Sequence, residues 1–306
     1  MSELRGALDE YLALRRAVGY KLVGAGYALR GFVAEMEALG LEKVTTKATL
    51  TWATKPKAQP WWWTQRLQMA RDFARFLHAL DSTHEVPPPG LLCARASRGI
   101  RHVFSEGDVA RLMDAAEALR PELRGVTYAT LIGLLATTGM RVGEAIGLDR
   151  ADVDLDAGAL VIRHAKFDKA REIPLHETTL QALRAYAARR DALVPTPGGP
   201  AFFVSARGAR LGYESVHETF VGLLPAAGLE ARPRRRPRIH DLRHGFAVSA
   251  VATWHRDGAD VEERLPYLAT FLGHVDPSRT YWYLSATPEL MAQAARRLEA
   301  SLGELP

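Results

Sequence analysis

Cysteine is nearly absent: Cys93 is the only one in 306 residues, so no intramolecular disulfide framework can brace the fold. Cys93 has no obvious partner histidine and reads as an incidental linker or core thiol. No apolar run approaches the ~20 residues needed to cross a bilayer. The opening Met-Ser-Glu-Leu-Arg-Gly is polar and lacks a secretory h-region. There is no internal repeat and no low-complexity tail. These absences exclude disulfide scaffolds, membrane spans and solenoids, and they set the expectation of a cytoplasmic protein with no membrane partner.

What is present is a two-domain length of chain with a basic balance. The net charge is +5 and the sequence pI is near 9.4, which permits a polyanion partner without demanding one. Local clustering says more. Residues 232–238 read Arg-Pro-Arg-Arg-Arg-Pro-Arg, five positive charges in seven residues. Such a run repels itself unless it is solvated or faces phosphates. In most proteins it is a solvated loop. Here it leads directly into His240, which makes a phosphate-facing role for Arg234, Arg235, Arg236 and Arg238 the better reading.

The first third reads as all helix. Apolar periodicity predicts helices over 4–18, 27–39, 45–52 and 61–80, with Gly19 and Gly24 to Gly26 in a turn and Thr46 as an N-cap. The fourth helix carries Leu67, Ala70, Phe73, Ala74, Leu77 and Leu80 at a spacing of three and four, so one stripe faces a core. Pro87, Pro88 and Pro89 cannot continue a helix and favour a stiff extended link. The expected organisation is therefore a helical domain over 1–86, a proline-rich linker over 87–102 and a second domain over 103–306. In that second domain Ser105-Glu106-Gly107-Asp108 looks like a helix start. Helices are expected near 105–119, 124–138, 141–147, 177–192, 213–227, 240–256 and 261–272. Alternation at 159–164 and 171–174 predicts a β-hairpin turning near Phe167 and Asp168. The chain after Tyr281 is expected to be helical.

An ordered set of basic groups ending in a phenol runs through this second domain: Arg141, Lys166, His240, Arg243, His274 and Tyr283. Arg141 lies in Thr-Thr-Gly-Met-Arg-Val-Gly-Glu, where Gly139 allows a tight turn that lets the arginine project into a cleft. Lys166 lies in Ala-Lys-Phe-Asp-Lys-Ala-Arg-Glu-Ile-Pro-Leu, with Lys169 as its rival on the hairpin. His240 and Arg243 lie in His-Asp-Leu-Arg-His, three apart and so on one helix face. His244, adjacent to Arg243, points roughly 100° away on a helix of 3.6 residues per turn and is set aside. His274 lies in Leu-Gly-His, and Tyr283 follows it by nine residues. Taken singly, each has an ordinary explanation: a surface arginine paired with Glu144, an exposed hairpin lysine, a helix-capping histidine, a packed aromatic.

Taken together, the set suits phosphodiester transesterification. Arginine donates two parallel hydrogen bonds to phosphate oxygens and stays charged. Donors aimed at the charge developing in the transition state are worth ~3 kcal/mol each. A phenol of ordinary pKa ~10 needs a base and a cationic setting to become a nucleophile. Lysine can protonate a leaving alkoxide.

This pattern resembles the tyrosine recombinase (phage integrase) family, closely over the C-terminal two thirds and more loosely before it. The resemblance implies a mainly α fold: a helical N-terminal core-binding (SAM-like) domain plus a mixed α/β catalytic domain with a small antiparallel β-sheet. It implies that Arg141 and Arg243 bind the scissile phosphate, with Glu144 supporting Arg141 from behind. His240 would assist proton transfer at the tyrosine, and His274 would hydrogen-bond the phosphate. Lys166 would be the general acid. Spacing from Leu-Gly-His selects Tyr283 over Tyr281 as nucleophile. Neither cofactor nor metal is expected. The expected partner is double-stranded DNA, bound as a homo- or hetero-tetramer on paired sites, with Arg66 and Lys169 added to the DNA-contact candidates. The expected location is the cytoplasm, in association with the nucleoid.

Tyr-Trp-Tyr-Leu-Ser-Ala-Thr-Pro-Glu-Leu, the opening Tyr-Leu-Ala-Leu-Arg-Arg-Ala-Val-Gly-Tyr-Lys-Leu and Trp-Trp-Trp are also similar to a subgroup encoded in trios on bacterial mobile elements. Partner recombinases are therefore an expectation too. The interval from Arg243 to His274 is longer than in compact family members. The apolar positions Leu290, Met291, Ala294, Ala295 and Leu298 lead to the expectation that the C-terminal segment packs on a neighbouring protomer. Two other classes stay open: a catalytically silent or partner-dependent architectural subunit, and a type IB topoisomerase-like nicking and resealing enzyme.

Overall fold

The structure is a computed structural model that describes residues 2–92, 102–163, 170–195, 198–229, 236–274 and 280. The chain divides into two compact units, Met1–Arg98 and Gly99–Pro306.

The first unit is four helices, α1 (Glu3–Ala17), α2 (Val23–Ala38), α3 (Thr46–Thr54) and α4 (Pro60–Leu80). Their starts follow side-chain chemistry. The Ser2 hydroxyl accepts from the Arg5 N–H and caps α1. At α3 the cap is Thr45, whose hydroxyl accepts from Ala48. Thr46 is the first helical residue instead, and its N–H goes to the Glu85 carboxylate at 2.7 Å. Pro60 opens α4, where its missing N–H costs nothing. The turn before α2 is narrower than the glycines imply: Gly19 sits at φ 90°, whereas Gly24 and Gly26 lie inside the helix.

Leu8, Leu12, Leu29, Phe32, Met36, Leu67 and Phe73 fill this core, and the Phe32 ring meets Trp52 edge-on at 5.0 Å. The α4 stripe is buried from Leu67 to Leu77. Leu80 is exposed, because the helix has run past the core by its last residue. The proline run begins packed on this unit. Arg71, itself buried, donates from Nε to the Pro87 carbonyl at 2.8 Å and from Nη2 to the Pro88 carbonyl at 2.9 Å.

The second unit contains α5 (Glu106–Glu117), α6 (Glu122–Thr138), α7 (Val142–Gly147) and a 3-10 turn at Arg150–Asp152. After these come β1 (Val153–Asp154), β2 (Ala159–Ile162), β3 (Arg171–Pro174), α8 (Glu177–Leu193), α9 (Tyr213–Ala226), α10 (Asp241–Arg256) and α11 (Val261–Leu272). The strands form one antiparallel sheet in the order β1-β2-β3, with Leu160 opposite Ile173 and Ile162 opposite Arg171. β1 is too short to leave an alternating pattern, so the sequence shows only the hairpin. The hairpin turn at Phe167 and Asp168 lies outside the described residues.

α6 is apolar on nearly every face, the mark of a central helix. Leu123, Tyr128, Leu131, Ile132, Leu134 and Leu135 are all buried. α5, α8 and α10 pack around it. The start of α5 is a capping box in which Ser105 and Asp108 exchange hydrogen bonds. The long interval after Arg243 is the end of α10, a turn with Gly258 at φ 72°, and α11, capped by Asp260. Among the described residues, no helix is long and apolar enough to cross a membrane.

Replacing Arg71 by Met removes the donors to the Pro87 and Pro88 carbonyls. We expect a loss of about 2 kcal/mol in the first unit, together with faster proteolysis after Val86. Urea unfolding and timed proteolysis of the full chain check both.

Candidate active site

Four helix ends carry the candidate residues: the C-terminus of α6, the N-termini of α7 and α10, and the C-terminus of α11. α6 stops at Gly139, which takes the left-handed conformation at φ 59°. A Cβ there would collide with the Phe246 ring and come within 3.0 Å of Leu272 Cδ2. Only glycine fits, and the tight reversal places Arg141 at the N-cap of α7.

α11 ends in a Schellman turn. Gly273 lies at φ 67°, its N–H donates to Thr270, and the His274 N–H donates to Ala269 at 2.8 Å. The carbonyls of Leu272 and Gly273 are then taken by two different arginines. Arg243, 2% exposed, donates from Nη2 to Leu272 at 2.7 Å and from Nη1 to Gly139 at 2.8 Å. Arg141 donates from Nη2 to Gly273 at 2.9 Å. The structure thus brings Arg141, Arg243 and His274 to one helix end from separate stretches of chain.

Glu144 accepts from Arg141 twice. Its Oε1 accepts from Arg141 Nη1 at 2.7 Å and its Oε2 from the Arg141 main-chain N–H at 2.9 Å. A third arginine, from the same motif as Lys166, joins the carboxylate. Arg171 donates to Oε1 at 3.1 Å and to Oε2 at 2.7 Å. Burial raises the Glu144 carboxyl, but the Arg171 hydrogen bonds and charge and the Arg141 donors outweigh it. The group is held below the usual carboxylate range.

His240 is exposed and occupies the N-cap of α10, one residue before the helix proper. Its ring meets the buried ring of His244 edge-on at 5.4 Å, so His244 packs behind the candidate histidine. His274 Nδ1 is 2.8 Å from the hydroxyl of Thr280, which is 1% exposed. Thr280 leaves no periodic signal in the sequence, and only the fold reveals it as the group that fixes the His274 ring.

The DNA-contact candidates divide. Arg236 and Arg238 are exposed, and the Arg238 N–H is held by Asp241 at 2.9 Å. Arg66 is engaged internally: its guanidinium lies 3.7 Å over the Trp52 ring and donates to the Trp52 carbonyl at 2.9 Å. Lys166, Lys169, Arg234, Arg235, Tyr281, Tyr283 and the segment 288–302 lie outside the described residues. Among the described residues, no group of three or more His, Cys, Asp or Glu side chains is placed to hold a metal ion. A cavity of about 470 Å³ between α5, α6 and α8, lined by Met113, Ala129, Gly133 and Leu183, contains none of the candidate residues.

Comparison with known proteins gives the family of the chain. Residues 102–289 match the phage integrase family. The chain is 42% identical over 307 residues to the integrase/recombinase named y4rB of Sinorhizobium fredii, covering 98% of each. It is 29% identical over 232 residues to tyrosine recombinase XerD of Caulobacter vibrioides, covering 74% of this chain and 72% of the relative. Among solved structures, the Tn1549 transposon integrase in complex with a circular-intermediate DNA superposes with a TM-score of 0.71 at 15% identity. That superposition spans 97% of this chain and 100% of the other, and it is a likeness of fold. The chain belongs to the phage integrase family, the tyrosine recombinases.

Two outcomes test the construction of this site. Gly139→Ala meets both the left-handed backbone and the Phe246 ring, so chemical denaturation should show a loss of about 2 kcal/mol or more. The second concerns Glu144, whose folded pKa is depressed. Its stabilisation is complete above the ordinary value of 4.5 and fades as pH falls through the lower folded value. Thermal melts across pH should therefore show Glu144→Gln below wild type at neutral pH, with the gap closing only under acid conditions. A gap constant with pH would contradict the assignment.

Proposed function

We propose that this tyrosine recombinase cuts and rejoins DNA at specific sites, with Tyr283 as its nucleophile. The observation that carries the reading is the convergence of Arg141, Arg243 and His274 on the end of α11. Two guanidiniums fixed by main-chain carbonyls are preorganised donors that need not reorganise as negative charge builds on a phosphate. Arg141 remains partly open to solvent, its side chain 37% exposed, so a phosphate can reach it.

The reaction balances without an external energy source. Tyr283 Oη attacks the scissile phosphorus and gives up its proton to His240. The P–O5′ bond breaks, and the 5′ oxygen takes a proton from Lys166. The product is a 3′-phosphotyrosyl bond and a free 5′ hydroxyl. Attack by the 5′ hydroxyl of a partner strand reverses each step and reseals the backbone. His274, its ring set by Thr280, donates to a phosphate oxygen.

The exposed Arg236 and Arg238, with Arg234, Arg235 and Lys169, supply sequence-independent phosphate contacts, so affinity falls steeply with salt. Arg66 serves the core of the first unit instead. The active assembly is a tetramer on two sites, acting on chromosomal DNA and completed by partner recombinases of the same mobile element.

Covalent trapping on nicked suicide duplexes tests the reading. Wild type and Tyr281→Phe should give an adduct on denaturing gels, and Tyr283→Phe should not. An adduct lost only in Tyr281→Phe would move the nucleophile two residues. Tight DNA binding with no adduct from any variant would favour the architectural class. Cleavage and resealing without exchange between two duplexes would favour the topoisomerase-like class.

A further inference from the structure

The reading above assigns roles to Arg141 and Glu144 but leaves Arg171 without one. Arg171 is the first residue of β3, paired with Ile162 at the end of the hairpin. Its side chain is 13% exposed. Its fork spans both oxygens of Glu144, at 3.1 and 2.7 Å. Those oxygens also receive Arg141, from Nη1 at 2.7 Å and from the main-chain N–H at 2.9 Å. The carboxylate is therefore held by four donors, two from each arginine. Arg171 also presses on Arg141's other support: a Cβ at Gly273 would lie 2.6 Å from Arg171 Nη1, and the Gly273 carbonyl is the one that Arg141 Nη2 uses.

The charges make this arrangement consequential. A buried carboxylate facing Arg141 alone would form a closed ion pair and compete with any phosphate for that guanidinium. With Arg171 present, two positive charges face one negative charge, and the cluster keeps a net positive charge. The depressed pKa of Glu144 fits a carboxylate saturated by cationic donors.

We propose that Arg171 is a positioning residue for strand cleavage: by neutralising and orienting Glu144 and backing the Gly273 turn, it holds Arg141 toward the scissile phosphate with its charge available. The proposal rests on the reading that Arg141 contacts that phosphate. In this role Arg171 acts through Glu144 and Arg141 rather than through a substrate contact of its own.

The test uses the full chain and single-turnover adduct formation on two nicked duplexes, one with a normal phosphate at the scissile position and one with a methylphosphonate, which lacks one negative charge. Arg171→Gln should slow cleavage of the phosphate duplex about 10- to 100-fold, the scale set by a small misplacement of a catalytic group. Its DNA affinity should stay within about twofold, since Arg171 makes no phosphate contact. Arg171→Lys, which restores the charge without the fork, should fall between Arg171→Gln and wild type. On the methylphosphonate duplex the Arg171→Gln deficit should shrink to about threefold or less, in parallel with that of Arg141→Ala, because less charge then needs a clamp.

Wild-type rates for Arg171→Gln on phosphate would overturn the proposal. So would an equal deficit on both duplexes with Arg171→Lys no better than Arg171→Gln, which would make Arg171 a residue of the fold alone. Absence of an adduct from wild type, or its persistence in both Tyr283→Phe and Tyr281→Phe, would overturn the cleavage reading and the proposal with it. An adduct from wild type alongside an indifferent Arg171→Gln would overturn the proposal only.

Discussion

The second unit is organised around one buried cation. Arg243 donates to the carbonyl of Gly139, which caps α6, and to the end of α11, and so ties three helices that are far apart in the chain. A guanidinium is costly to bury unless its donors are satisfied. The C-terminal ends of helices offer unsatisfied carbonyls with partial negative charge, which makes them natural partners. The interaction serves both sides: the helix ends gain donors and the arginine gains a fixed orientation. The proposed preorganisation of Arg243 and the stability of the fold rest on the same contacts.

Electrostatics then distributes the remaining roles. Glu144 is the one carboxylate found in contact with Arg141 and Arg171 among the described residues, and it is shared rather than paired. A shared counter-ion orients cations without cancelling them. His274 is treated in the same manner by a neutral group, the buried Thr280 hydroxyl, which sets the ring without adding charge. The site is thus ordered by groups that hold its cations in place while leaving a positive field for a polyanion.

Much of this was legible in the chain because helices announce themselves. The stripe from Leu67 to Leu77 and the capping pair Ser105 and Asp108 are local patterns with local causes, and their helices lie within a few residues of expectation. Arg141, Glu144, Arg243 and His274 could be singled out because they sit in short motifs beside glycines. The rest depends on distance along the chain. Arg171 reaches a residue 27 positions away, and no periodicity encodes that contact. Thr280 is a small residue between larger ones, visible only once α11 has turned. Arg66 shows another long-range contact that no periodicity encodes: its guanidinium stacks on Trp52. β1 escaped because two residues cannot alternate.

The Schellman turn at Gly273 has a further consequence, for how this chain can change length. The carbonyls of Leu272 and Gly273 and the ring of His274 each serve a different partner, so the end of α11 must stay in phase with α10, α7 and Thr280. One residue added within α11 would rotate that end by about 100° and advance it about 1.5 Å, moving all three groups at once. The turn around Gly258, which joins α10 to α11 on the surface, is under no such constraint. Insertions acquired during divergence should therefore collect there, and the helix should keep its length while its exposed face drifts.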